Sequence, residues 1–279
     1  MTFSASRLPV DANKHGLSRY IPANVRRVVR KRCGFGCVLC GDAIVEYEHF
    51  DPPFLEATAH LPLGITLLCG SHHNESTKGL LSKEMVKQAD RKPACKAGNP
   101  PRHLLNLCGS PPRIVVAGND MSACGGKILV GGETLFEISP PERGSHVWRL
   151  SASLKDEEGK RICFIRHNEM KFDPECGDIV QEASRFEVRD RKGRTILKLT
   201  SQPRFGISLD HFEIPMAGGR CLIGLRDVPS FEDRSKFEKR PAIAFESSNG
   251  VQVFMGSTFA SPTGLRLNLV DGGLRIGGN

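Results

Sequence analysis

Two pairs of potential zinc ligands lie in the first third of this 279-residue chain. The first pair is Cys37-x-x-Cys40 and the second is Cys69-x-x-His72, with residues 41–68 between them. Three thiolates and one imidazole make a four-ligand tetrahedral zinc site. We therefore predict that these four side chains bind a structural Zn²⁺ ion, which would supply folding energy to a module too small for a large core of its own.

Three further side chains beside these pairs are not explained by structural zinc, namely Glu48, His49 and His73. Hydrolysis of a phosphodiester needs a divalent cation that neutralises developing charge and a base that deprotonates water. Glu48 and His73 can hold Mg²⁺ or Mn²⁺, while His49 would point to the other side of an extended strand and act as the base. Taken singly, Glu48 is a surface carboxylate and His49 a structural histidine, and either His73 or Cys33 could replace a zinc ligand.

A basic helix is predicted just before the first pair of ligands. Pro22 would lie in its first turn, where the missing N–H costs nothing, and Gly34 would end it. Val25, Val28 and Val29 are spaced as one apolar stripe. Because this segment has many cations, no acid and a position beside the ligand pairs, we predict a phosphate-binding surface of Arg26, Arg27, Arg30, Lys31 and Arg32.

Residues 20–87 resemble the zinc-containing HNH (ββα-metal) endonucleases. The runs that carry the resemblance are IPANVRRVVRKRCGFGCVLCG, YEHF and LLCGSHHNESTK. In that family the histidine on the first strand is the general base, the acidic residue before it binds the catalytic cation, and a histidine after the last zinc ligand binds it too. The resemblance gives these roles to His49, Glu48 and His73 respectively.

The chain departs from the family pattern at two positions. His72 stands where most relatives have cysteine, which zinc tolerates. The middle Asn or His of the motif, which orients the catalytic histidine, is replaced by Gly64. His60 is the nearest polar substitute and therefore a candidate site residue, and Asn74 is a second alternative.

The composition of the chain changes along its length. We expect a loose leader over residues 1–18, the nuclease module over 19–90, a Pro-rich linker over 91–112 and an all-β domain over 113–279. The fold class would be α+β. The β domain shows about ten short strand-like runs, which favour a two-sheet sandwich, although the glycine-punctuated run GLRLNLVDGGLRIGGN leaves a short β-solenoid as the alternative.

These observations predict an endonuclease that nicks or cuts DNA, with RNA left open as a substrate and defence against foreign DNA as one role. The alternatives are a non-catalytic zinc protein that binds nucleic acid, and an interaction protein whose β domain docks a partner or a second subunit. The chain has no secretory signal core and no apolar run long enough for a bilayer, so we expect no membrane partner and a cytoplasmic location, unless export uses another route. Of the ten cysteines, the six from Cys95 onward are expected to be buried thiols.

Overall fold

The computed structural model divides the chain into two compact units, residues 1–102 and 103–279. The structure describes residues 11–107, 113–116, 119–120, 126–130, 133–156, 158–202, 206–216, 219–229, 237–247, 250–254, 265–270 and 273–278. Strands greatly outnumber helices in these ranges, so the fold is of the mixed α+β kind. No helix in them has the length and apolarity that a membrane crossing requires.

The first unit combines short helices with one small antiparallel sheet. Its helices are α1 (Ala23–Cys33), α2 (Gly70–Thr77) and α3 (Lys83–Arg91), with short 3₁₀ turns at Pro62–Gly64 and Ala94–Lys96. The sheet pairs β1 (Glu46–His49) with β2 (Ile65–Leu68), in a register that places Glu48 opposite Thr66 and His49 opposite Ile65. All four residues of β2 are buried, and α1 packs against this strand.

The apolar face of α1 differs from the predicted stripe. Val29 and Cys33 are fully buried and Val25 packs against the same cluster, whereas Val28 is 50% exposed. Positions 25, 29 and 33 follow one another at four-residue intervals along one face of the helix, and Val28 lies on its flank. The prediction for Val28 was therefore wrong.

The described part of the predicted leader is packed rather than loose. Asn13 is 4% exposed, and its Nδ2 donates hydrogen bonds to the carbonyl oxygens of Phe54 and Ala57 at 2.6 and 2.7 Å. Its Oδ1 accepts from the backbone N–H groups of His15 and Leu17, both at 3.0 Å. One buried amide thus organises residues 11–18, while residues 1–10 lie outside the described part of the chain.

The predicted linker is also structured over most of its length. Ala94 N donates to Val38 O at 2.9 Å, and Arg102 O accepts from Ala43 N at 2.8 Å. Cys95 is buried in the first unit. These hydrogen bonds join residues 94–102 to the loop that contains Cys37 and Cys40, so the first unit continues to Arg102. Residues 108–112 of the predicted linker lie outside the described ranges.

The second unit contains two large, mostly antiparallel sheets. The first has the strand order β18 (Leu265–Val270), β19 (Gly273–Gly278), β6 (Gly126–Val130), β7 (Glu133–Ser139), β8 (Arg149–Lys155), β9 (Arg161–Arg166), β10 (Glu169–Phe172) and β3 (Arg102–Leu104). The second has the order β11 (Asp178–Glu182), β12 (Arg185–Arg189), β13 (Thr195–Gln202), β14 (Gly206–Met216), β15 (Gly219–Pro229), β16 (Phe237–Ser247) and β17 (Gly250–Phe254). β4 (Arg113–Val116) runs parallel to β14 and pairs with β5 (Asn119–Asp120).

The strand pairing contradicts the solenoid alternative. The glycine-punctuated run forms the antiparallel hairpin β18–β19 instead of successive parallel coils. Burial alternates along β8 and along β12, as it does in strands with one face on a core. The rings of Phe172 and Phe186, whose centroids are 5.3 Å apart, connect the two sheets.

Candidate functional site

Four side chains of the first unit converge as a potential metal-binding cluster. The ligand atoms of Cys37, Cys40, Cys69 and His72 all lie within 4.8 Å of one another. Cys40 Sγ and Cys69 Sγ are 3.8 Å apart, and His72 Nδ1 is 3.4 Å from Cys37 Sγ and 3.2 Å from Cys69 Sγ. A tetrahedral Zn²⁺ with ordinary bond lengths would separate two sulfurs by about 3.8 Å and sulfur from nitrogen by about 3.5 Å. The donor set therefore fits structural zinc.

A bound cation would have to offset the electrostatics that oppose ionisation of these thiols. Burial, with a further contribution from the neighbouring Cys37 and Cys69, raises the pKa of Cys40 to about 12. Three thiolates this close together repel one another unless a positive charge lies between them. The alternative ligands lie elsewhere: Cys33 Sγ is 3.5 Å from Thr66 Oγ1, and His73 faces a different group of side chains.

Backbone hydrogen bonds set the shape of the first ligand pair. Cys37 N donates to Asp42 O at 2.9 Å, Gly41 N to Cys37 O at 2.8 Å, and Val38 N to Leu67 O at 3.0 Å. Gly41 has a φ of 80°, in the left-handed region that favours glycine. The loop between the two cysteines is thereby fixed against β2, which leads directly to the second pair.

Helix α2 places its two adjacent histidines on different sites. Cys69 precedes the helix, and His73 N donates to Cys69 O at 2.8 Å. Consecutive residues of a helix are about 100° apart around its axis, since one turn takes about 3.6 residues. His72 therefore turns to the cysteines, while His73 turns to strand β1.

The second group of side chains is centred on the carboxylate of Glu48, which is 8% exposed. Glu48 Oε2 lies 3.2 Å from His73 Nε2, close to the separation of about 3.0 Å expected for neighbouring ligands of an octahedral Mg²⁺. A carboxylate oxygen is a ligand type that Mg²⁺ and Mn²⁺ accept, whereas an imidazole nitrogen is more typical of transition-metal ions. The structure thus brings together Glu48 and His73, the two residues predicted from the sequence to bind a second cation.

Three residues around this pair were missed from the sequence. Ser76 Oγ donates to Glu48 Oε1 at 3.2 Å, and Lys83 Nζ forms an ion pair with the same oxygen. Glu46 Oε2 lies 3.4 Å from His73 Nδ1. The signal for Glu46 was its position two residues before Glu48, on the same face of the strand. Nothing in the spacing of Ser76 and Lys83 pointed to Glu48, because their contacts depend on how α2 and α3 pack.

His49 contacts a different set of side chains, as the alternation along β1 predicts. Its Nε2 lies 3.0 Å from His60 Nδ1, and its ring packs edge-on to Phe54 with centroids 5.3 Å apart. His60 is therefore next to the predicted base. Asn74 is exposed on α2, and a side chain at Gly64 would place its Cβ 2.0 Å from Asp51 O, so an Asn could not occupy that position.

The environment of His49 favours its neutral form. Burial lowers the pKa of His49 to about 4, and the charges of His60 and Lys83 act in the same direction. The charge of Glu48 opposes them by raising the pKa. The His49 ring is therefore close enough to Glu48 and Lys83 to feel their charges. At neutral pH the ring is unprotonated, as a general base must be.

This pKa predicts acid sensitivity of the first unit. Between pH 6.5 and about pH 4 the unfolded chain protonates residue 49 and the folded chain does not, so stability is lost as pH falls through this window. Since the ring is half exposed, we expect only about 1 kcal/mol, or a melting temperature lower by about 4–8 °C. Between pH 7 and pH 5 the melting temperature of the wild type should fall more steeply than that of His49→Asn. Equal falls in the two melting temperatures would contradict this prediction.

The basic helix has fewer exposed cations than predicted. Arg30 is buried and its Nη1 donates to Tyr47 Oη at 2.8 Å. Arg32 pairs with Asp90 and donates to Pro62 O and Ile65 O. Both guanidinium groups thus support the fold and are not available as an open phosphate-binding surface. Arg27 and Lys31 are exposed, and Arg26 stacks over the Tyr20 ring at 5.3 Å.

Comparisons with known proteins give no match. No family model, no curated protein and no solved structure matches this chain. The functional assignment therefore depends on the side-chain geometry of the first unit.

Proposed function

We propose that the first unit is a zinc-stabilised, metal-dependent endonuclease that hydrolyses phosphodiester bonds of DNA. The observation that carries the proposal is that two consecutive residues of β1 each contact a different histidine. Glu48 meets His73 at 3.2 Å, and His49 meets His60 at 3.0 Å. A zinc scaffold alone needs neither pair, whereas hydrolysis needs both a cation site and a neutral base.

Each pair has a distinct role in this proposal. Glu48 and His73 hold the divalent cation, which supplies Lewis-acid stabilisation of charge on the phosphate. His49 Nε2 and His60 Nδ1 share a hydrogen bond of 3.0 Å. In the tautomer in which His49 Nε2–H is the donor, His49 Nδ1 is unprotonated and able to accept a proton from the attacking water. His60 is thus a positioning residue that takes the role of the family's middle Asn.

Exposed cations support nucleic acid as the substrate. Arg27 and Lys31 are exposed on α1, where they can contact phosphates, and Arg26 is partly exposed beside Tyr20. DNA is the expected substrate and RNA stays an alternative. A defence role, a cytoplasmic location and a partner or second subunit on the β domain stay predictions.

A cleavage assay on supercoiled plasmid tests the proposal. Zinc-loaded wild-type protein should cut or nick the plasmid with Mg²⁺ or Mn²⁺ and should be inactive when neither cation is added. His49→Ala should slow cleavage by about a hundredfold or more, since it removes the general base. His15→Ala, at an exposed histidine outside both pairs, is the matched control and should keep full activity.

Two outcomes would overturn the proposal. One is full activity of His49→Ala with unchanged zinc content. The other is plasmid binding without cleavage across Mg²⁺, Mn²⁺, Co²⁺ and Ca²⁺, which would instead favour a non-catalytic nucleic-acid-binding module.

A further inference from the structure

Lys83 is the cationic partner of the carboxylate at the centre of the site. Its Nζ contacts Glu48 Oε1 and lies 3.0 Å from Ser76 Oγ, so these three groups form a closed triangle. The Glu48 side chain is only 10% exposed, whereas that of Lys83 is 39% exposed. The carboxylate is therefore held in place, while the ammonium of Lys83 is partly exposed to solvent.

The start of helix α3 determines the position of Lys83. Ser82 caps the helix by accepting a hydrogen bond from Met85 N at 3.2 Å, and Val86 anchors it with no exposed surface. Lys83 is the first residue of the helix. A capped and anchored helix start keeps the base of the side chain beside β1, and only its flexible end is free to turn.

A divalent cation held by Glu48 and His73 would share its carboxylate with this ammonium. Like charges at short range repel strongly where water is scarce, so the two cations oppose each other's binding. A phosphate next to the site would offer the ammonium another negative partner.

We propose that Lys83 competes with the divalent cation for Glu48, and that a bound nucleic-acid phosphate draws the ammonium away and so strengthens cation binding. This inference rests on the proposed nuclease function. Affinity for the cation and affinity for the nucleic acid are then coupled, and each ligand improves binding of the other by the same factor. The chain holds its cation weakly until a substrate is present.

Titration of the zinc-loaded full chain with Mn²⁺, followed by calorimetry and electron paramagnetic resonance, tests this coupling. Lys83→Met should bind Mn²⁺ at least about tenfold more tightly than wild type without nucleic acid. Lys83→Arg keeps the charge and should behave like wild type. Lys87→Met is the matched control, because Lys87 lies one turn further along α3, is also 39% exposed and pairs with Asp51 instead.

A second titration includes a short DNA duplex, with His49→Ala in every chain to prevent cleavage. The duplex should increase Mn²⁺ affinity about tenfold more in the chain with Lys83 than in the Lys83→Met chain, since only the former has an ammonium to displace. Equal Mn²⁺ affinity of wild type and Lys83→Met would overturn the inference while leaving metal-dependent cleavage intact. Absence of Mn²⁺ binding in every variant, together with absence of cleavage, would overturn the inference and the proposed function together.

Discussion

Removal of zinc is expected to unfold the first unit. Zinc binding contributes an apparent free energy of about 10–16 kcal/mol in small modules of this kind, more than the whole stability of many domains. Here the cluster joins the loop before β1 to the start of α2, so its four ligands connect two segments that share one small core. Cys69→Ser should lower bound zinc well below one equivalent and expose residues 11–102 to proteolysis, while the second unit stays protected.

A matched substitution separates loss of zinc from loss of a buried thiol. Cys33, like Cys37, is fully buried and lies in the same core, but its Sγ contacts Thr66 instead of the cluster. Cys33→Ser should therefore keep one equivalent of zinc and a protected first unit. If strong chelation left residues 11–102 as resistant to protease as before, zinc would have no structural role.

The ligand positions were predictable because sequence neighbours fix them. Two residues between ligands force a tight loop, and the alternation of β1 separates Glu48 from His49 whatever the rest of the fold does. The spacing after Cys69 also predicted His72 rather than His73 as the fourth ligand, and the converging side chains agree with this choice, which has a structural reason as well. The choice depends on where the first turn of α2 faces, which the packing of that helix on the sheet decides.

The exposed surface of α1 was harder to predict than its helical state. A run of cations indicates charge, but it does not show which guanidinium groups turn inward. Arg32 reaches carbonyl oxygens at Pro62 and Ile65 as well as Asp90, and these lie 30 or more residues away in sequence. Long-range acceptors of this kind leave no local signal, and the same holds for the contact of Lys83 with Glu48.

The β domain was predictable as a class but not strand by strand. β15 contains Gly219 and Gly224, and β14 contains Pro215, so both resemble turns when propensity alone is considered. In the structure they are long strands with neighbours on both sides. Pairing with adjacent strands overrides weak local propensity, and this explains why about ten strands were expected where the described residues contain more.

Neutralising Glu48 is expected to abolish cation binding and cleavage together. Glu48→Gln keeps the shape of the side chain and removes its charge, so His73 would lose its anionic co-ligand. Lewis-acid stabilisation is worth several kcal/mol, and each 1.36 kcal/mol is a factor of ten in rate. We therefore expect plasmid cleavage to fall at least about a thousandfold, with zinc content and circular dichroism unchanged, because the freed ammonium of Lys83 can turn to solvent.

Glu46→Gln provides the matched control for this loss. Glu46 also approaches His73, at 3.4 Å from Nδ1, but its side chain is 59% exposed, against 10% for Glu48. An exposed carboxylate on the far ring nitrogen orients the imidazole without binding the cation on Nε2, so we expect a loss of about tenfold or less. If Glu46→Gln were the more damaging change, the cation would lie on the Glu46 side of His73. In that case the pairing of Glu48 with Lys83 and Ser76 would be a structural ion pair, and the catalytic roles of β1 would have to be reassigned.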